Sequence, residues 1–219
     1  MTFLRTAVAS DLAALNEICV RTAAYGRDIT PQMSRPELVG AVYADPYLLH
    51  DPASCFVLAS GSGDEAEAGA GQGRGRALGY VVGTLDTLAF RQWFTGEYAP
   101  ARLEELGLAA AGEDPESLTP TDRSYLRLLR APAPEPAPWL GRYPAHLHID
   151  LLEPVRRQGW GRRLVEAWID HARERGAAGL HLGVGADNTG AIAFYEAIGL
   201  QRIGQDDGGV TMARSLRQE

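Results

Sequence analysis

Apolar positions along the chain recur with a period of two in short runs and near 3.6 in longer ones, and the alternation between these periods sketches the fold. Residues 2–6 read as a strand. A helix opens at Ser10 and Asp11 and carries Leu12, Leu15, Ile18 and Cys19 on one face. Residues 22–31 have the character of a loop, 35–43 of a second helix that stops near Asp45 and Pro46, and 54–59 of a strand. The next strand covers 78–85, with Asp86 at its end, and two or three helices lie between 90 and 130. Residues 131–138 alternate alanine or glutamate with proline, an extended spacer that leads to Trp139 and Tyr143.

The last third is the most regular. It predicts a strand at 146–152, a helix at 161–175 closed by Gly176, a strand at 180–184, a helix at 188–198, and two further strands. Strand, helix and strand in close succession imply a parallel pair joined by a right-handed crossover, so the class is α/β or α+β. Residues 61–75, rich in Gly, Ala, Glu and Asp, are too poor in apolar groups to pack and read as a flexible hairpin tip. A single domain over 1–219 is expected, with a helical and proline-rich insertion at 87–144.

Composition removes several classes of function. The 219 residues are 45% apolar and 22% charged, with no run long enough to span a membrane. The N-terminal residues hold no basic segment followed by an apolar stretch, so cytoplasmic residence is expected. Net charge is −7 and the pI is near 5.3, which argues against general nucleic-acid binding. All 21 basic residues are arginine. A P-loop nucleotidase, a protein kinase and Schiff-base chemistry each require a lysine and are excluded. Cys19 and Cys55 have neither a disulfide framework nor metal-ligand spacing and read as buried thiols.

Between the strand at 146–152 and its helix lies Arg156-Arg157-Gln158-Gly159-Trp160-Gly161-Arg162-Arg163, the strongest local positive field in an acidic chain. Glycines let several N–H groups converge at a helix N-terminus, where the macrodipole adds about half a positive charge, so the ligand class is an anion such as pyrophosphate. A dinucleotide-binding reading needs a third glycine, and Arg162, Arg163 and Leu164 follow Gly161 instead.

Arg156-x-x-Gly159-x-Gly161 resembles the [QR]-x-x-G-x-[GA] signature of the GNAT N-acetyltransferases. Asn188-Thr-Gly-Ala191-Ile-Ala-Phe194-Tyr195, followed by Gly199, resembles their second element. Residues 79–86, the insertion and 143–150 are similar to a narrower group, the acetyltransferase-like domains found alone in bacteria and fungi and at the end of the animal O-linked N-acetylglucosamine hydrolase. The resemblance implies a mixed, mostly antiparallel central sheet with a splayed parallel strand pair and helices on both faces. It further implies acetyl-CoA as cosubstrate and no metal, with an amine acceptor that is a small molecule, peptide or protein; monomer and homodimer both stay open.

By the same resemblance, the main-chain amides of Arg157, Gln158, Gly159, Trp160, Gly161 and Arg162, with Arg156 beside them, would hold the coenzyme A pyrophosphate. The backbone of Leu151 and Leu152 would pair with pantetheine. Asn188 and Tyr195 lie two helical turns apart, a rise of about 10.5 Å, and share a face. Tyr195 is the candidate acid that protonates the leaving thiolate. Alternation puts His146, His148 and Asp150 on one face of their strand; for base or ammonium anchor Asp150 comes ahead of His148, and a purely structural hydrogen-bonding role carries more weight than either. His146-x-His148 lacks a third metal ligand at a suggestive spacing, and His50, His171 and His181 read as isolated. On the substrate side the resemblance nominates Tyr25, Arg27, Asp28, Asp86 and His148. The competing reading is a catalytically silent module that binds acyl-CoA or a protein partner.

Overall fold

Strand formation follows the period-two runs closely. The computed structural model describes residues 1–61, 75–109, 116–133, 135–206 and 209–217. Its strands are β1 (Thr2–Thr6), β2 (Cys55–Ser60), β3 (Arg76–Thr84), β4 (Ala145–Leu151), β5 (Gly179–Val184), β6 (Gln201–Asp206) and β7 (Gly209–Ser215). They form one sheet in the order β1-β2-β3-β4-β5-β7-β6. Every neighbouring pair is antiparallel except β4 and β5. The expected mixed sheet is therefore present, while residues 62–74 of the predicted hairpin tip lie outside the described residues.

Alternation on β4 separates two cores. Leu147 turns to the face covered by α7 (Trp160–Glu174), where Leu164, Val165, Trp168, Ile169 and Ala172 form the apolar stripe. Trp168 is fully buried and its Nε1–H donates to the carbonyl of Ser54 at 3.0 Å, so the indole leaves no polar group unpaired. The opposite face is covered by α1 (Leu12–Thr22), α2 (Glu37–Tyr43) and α3 (Asp45–His50). Cys19 and Cys55 are buried in that second core as free thiols.

One boundary differs from the sequence reading. Pro46 does not end the second helix region; it stands in the first turn of α3, where a missing N–H is harmless and its fixed φ favours helix. The consequence is that Tyr47 is carried on a helix against β4.

The insertion is helical and packs on α2. It comprises α4 (Thr87–Trp93), a π-helical turn (Phe94–Tyr98), α5 (Ala99–Glu105) and α6 (Pro120–Arg130). Pro100 sits just after the widened turn and has no amide for the normal ladder, which a π-turn accommodates. Leu38 and Ala41 of α2 join Tyr98, Leu103, Leu126 and Leu129 in a third core. Among the described residues no helix is long and apolar enough to cross a membrane.

Asp122 fastens this third core. Thr119 and Asp122 form a capping box at the head of α6. The same carboxylate accepts from Ser34 N–H at 3.1 Å, Ser34 Oγ at 2.7 Å and Arg35 N–H at 3.0 Å. Burial alone would raise its pKa, but these bonds hold it down to about 2. Its contribution is complete above the ordinary carboxylate pKa and is lost as pH falls towards 2. Asp122→Ala should therefore lower stability by about 2–5 kcal/mol at pH 7. Denaturant titration at pH 7 and pH 2.5 checks this, with the gap between variant and wild type shrinking at the lower pH.

Candidate active site

The parallel pair is short. Only Ala145 with Leu180 and His146 with His181 stand in register, after which β4 continues along β3 and β5 continues along β7. A gap opens inside the sheet. The amide of Leu152 donates to Leu78 O at 2.9 Å, so the ladder's alternation turns Asp150 and Leu152 to β3, and Ile149 and Leu151 to the gap. This corrects the expectation for Leu152, whose amide is committed to β3 and whose side chain is buried in the α1 core. With Leu151, it is Ile149 whose backbone groups turn to the gap. The carbonyl of Leu151 also has a partner, since Arg156 Nε donates to it at 2.7 Å.

One mouth of the gap is the arginine and glycine turn. Arg157 has φ +57° and Gly159 φ +81°, a left-handed path that tolerates a side chain poorly at the second position. Gly159 is the N-cap of α7, and no side chain caps that helix start. Its first-turn amides and positive dipole end thus face outward beside Arg156, Arg157 and Arg162, an arrangement that fits a pyrophosphate. Two side chains in the motif turn elsewhere: Gln158 donates to Pro154 O, and Trp160 lies under the Arg163 guanidinium. Arg162 reaches the carbonyl of Ala197, tying α8 (Thr189–Ala197) to the turn by its negative end.

Three clefts run end to end from this mouth. The first, about 610 Å³, is lined by Arg156, Arg157, Gly159, Gly161, Arg162 and Phe194 and reaches Asp150, Asn188 and Tyr195. The second, about 370 Å³, shares Asp150, Asn188 and Tyr195 with the first and adds Cys19, Tyr43, Tyr125 and His148. The third, about 550 Å³, shares Tyr43 and His148 with the second and is lined by Tyr47, Phe90, Arg91 and Trp139 among others. Insertion residues thus wall the third cleft, which the sequence left undecided. Tyr25, strained at φ +53°, borders both of the first two clefts and is exposed.

Asp150 and Tyr195 meet at the junction of the first two clefts. Tyr80, opposite Asp150 in the β3–β4 register, donates its hydroxyl to Asp150 Oδ2 at 2.7 Å. Burial pushes the Asp150 carboxyl up to about 6, against the pull of the Tyr80 and Thr22 hydroxyls and of Arg156. Burial, with Asp150 adding to it, also raises the Tyr195 phenol, which makes no hydrogen bond to a described residue. Asn188 is the N-cap of α8, its Oδ1 accepting from Ala191 N–H at 3.2 Å. His148 is pushed down to about 4 by burial and by His181, so its ring is neutral at pH 7.

Two nominated carboxylates are not brought to the clefts. Asp86 caps α4, accepting from Leu88 and Ala89 amides, and Asp28 closes a local turn by accepting from Thr30 N–H at 2.8 Å. Short-range backbone donors satisfied them both. Arg27 is in a backbone bridge with Ala23. His181, read as isolated, stands beside His146 across the parallel pair, with its Nδ1 2.8 Å from Tyr143 O. Tyr80, Tyr47 and Tyr43 were missed; their approach depends on register and helix docking that no local pattern carries. Among the described residues, no three His, Cys, Asp or Glu side chains are grouped to hold a metal ion.

The chain is similar to known proteins in sequence and in fold. The sequence model of the Acetyltransferase (GNAT) family matches residues 135–200. Over 44 residues the chain is 52% identical to the [ribosomal protein bS18]-alanine N-acetyltransferase of Escherichia coli (strain K12); the match covers 20% of this chain and 30% of that protein's length. The solved structure of SsHAT superposes with a TM-score of 0.85 at 33% identity, covering 99% of both chains. The PaiA N-acetyltransferase of Thermoplasma acidophilum, solved in complex with coenzyme A, shares the fold with a TM-score of 0.55 at 11% identity, covering 98% of this chain and 99% of that one. With the arginine and glycine turn, the divided sheet and this full-length likeness together, the chain belongs to the GNAT acetyltransferase family.

Proposed function

We propose that the protein is an acetyl-CoA-dependent N-acetyltransferase that moves the acetyl group directly to a primary amine. The observation that carries this reading is the meeting of Asp150 and Tyr195 where the cleft behind the phosphate-binding turn joins the cleft that leads to the insertion. Acetyl-CoA supplies an activated acyl group as a thioester. The amides of residues 157–162, with Arg156, Arg157 and Arg162, would hold its pyrophosphate. The gap-facing backbone of Ile149 and Leu151 would take pantetheine as an added strand. Asn188 would line the same arm.

The amine would enter from the cleft walled by the insertion. Tyr43, Tyr47, His146 and His148 are neutral there and Arg91 beside them is cationic, so an ammonium ion loses solvation, meets a like charge and sheds its proton more easily. The neutral nitrogen attacks the carbonyl carbon, and the carbon–sulfur bond breaks as the amide forms. Asp150 accepts the proton that attack makes acidic, and its elevated pKa suits a base working near neutrality. Tyr195, which burial keeps protonated, donates to the departing thiolate. His148 and Tyr25 would contact the acceptor. A silent acyl-CoA-binding module would have no use for a tuned carboxyl and a free phenol at one point, which favours turnover. The narrower likeness to the acetyltransferase-like domain of the O-linked N-acetylglucosamine hydrolase is part of this reading and rests on residues 79–86 and 143–150.

Calorimetry should detect acetyl-CoA and not NAD, and Gly159→Asp should abolish that binding by bulk and charge at the turn. Absence of binding in the wild type would overturn the proposal. With an amine that releases thiol, Tyr195→Phe should lower kcat by about 10² to 10⁴.

Asp150→Asn should lose turnover yet gain about 1–3 kcal/mol of stability at pH 8. The sign follows from a carboxyl whose folded pKa lies above its unfolded value: wild-type stability falls as pH rises from about 4 to 6, and the variant escapes that fall. Denaturation midpoints of the two proteins from pH 4 to 8 read it directly.

A further inference from the structure

Four side chains on the acceptor side form a single hydrogen-bond chain, and its far end fixes the direction of every link. Thr87 Oγ1 lies 2.6 Å from the carbonyl oxygen of Pro144. A carbonyl cannot donate, so the one hydroxyl proton of Thr87 is directed there. His146 Nδ1, 2.7 Å from the same Oγ1, must then carry a proton and donate it. In a neutral imidazole the other nitrogen is a lone pair, so His146 Nε2 accepts from the Tyr47 hydroxyl at 2.8 Å. Having given its only proton, the Tyr47 oxygen accepts from His148 Nε2 at 3.0 Å. His148 is left with its proton on Nε2 and a lone pair on Nδ1, which bonds to no described residue.

The opposite assignment fails on charge. If Tyr47 donated to His148, His146 would have to donate from both nitrogens and become an imidazolium. Burial, with His148, His181 and Arg91 nearby, holds the His146 pKa well below its ordinary value. The chain also cannot act as a proton wire, because it terminates on a carbonyl that neither takes nor releases a proton. It can only hold an orientation.

We propose that Tyr47, His146 and Thr87 are positioning residues that lock His148 in its Nε2–H tautomer, so that Nδ1 presents a hydrogen-bond acceptor to the N–H of the incoming amine. His148 is suited to this because its ring borders both the central cleft and the cleft walled by the insertion. The amine's part rests on the proposed acetyl transfer; the lock itself does not.

The lock is tested on uniformly ¹⁵N-labelled full-length protein by long-range ¹H–¹⁵N correlation of the imidazoles, assigned with His146→Gln and His148→Gln. At pH 7 His148 should be neutral with its proton on Nε2, and His146 neutral with its proton on Nδ1. Tyr47→Phe should move the His148 nitrogens towards the averaged shifts of exchanging tautomers. Thr87→Val should do the same to His146, Thr87→Ser should restore it, and this pair serves if Tyr47→Phe does not fold. A wild-type His148 protonated on Nδ1, or charged at pH 7, overturns the lock. With an amine that turns over, Tyr47→Phe should raise KM for the amine about three- to tenfold, the size of one hydrogen bond, and leave kcat nearly unchanged. An unchanged KM overturns the role assigned to Nδ1. A protein that releases thiol with no amine overturns the acetyl transfer and that role together, while the tautomers still report on the lock.

Discussion

The site depends on one constraint, the parting of β4 from β5 after two paired residues. A backbone that leaves its ladder inside a sheet exposes donors and acceptors that must find other partners. On β4 those groups belong to Ile149 and Leu151, and the Leu151 carbonyl already draws in Arg156. The arginine's position beside Asp150 and the glycine turn therefore follows from a local shortage of backbone partners. From the other side of the gap, α8 brings Asn188 and Tyr195 to the same place, held by Arg162 on the carbonyl of its last residue, Ala197.

Dielectric is the second consequence of that parting. Cores pack both faces of the sheet, so the polar side chains on the helix-covered face of β4, and Tyr195 near them, sit among apolar neighbours. Each is moved in the direction that removes charge: Asp150 and Tyr195 upward, His146 and His148 downward. A protein under selection for stability alone would replace Asp150 with a neutral residue. A buried carboxyl that Tyr80, Thr22 and Arg156 only partly relieve is the kind of local inconsistency expected at a working site.

Legibility in the sequence tracked the range of the interactions. The turn at residues 156–162 was readable because a glycine path and a helix start are local events. Alternation was enough to align His146, His148 and Asp150 on one face of β4. What escaped was set by distant partners: Tyr80 by the register of two strands, His181 by the parallel pairing, and Tyr47 by a helix that restarts at Pro46. Asp28 and Asp86 misled for the converse reason, since amides two or three residues away satisfied them before any cleft could. Leu152 fell one residue out of phase, and in a period-two ladder that turns a backbone group from the gap to the neighbouring strand.

The most direct test is a crystal structure of the protein with coenzyme A bound. The account predicts the pyrophosphate on the amides of residues 157–162, pantetheine between Ile149–Leu151 and β5, and the sulfur at the junction shared by Asp150 and Tyr195. Coenzyme A bound elsewhere, with β4 and β5 closed against each other, would contradict it.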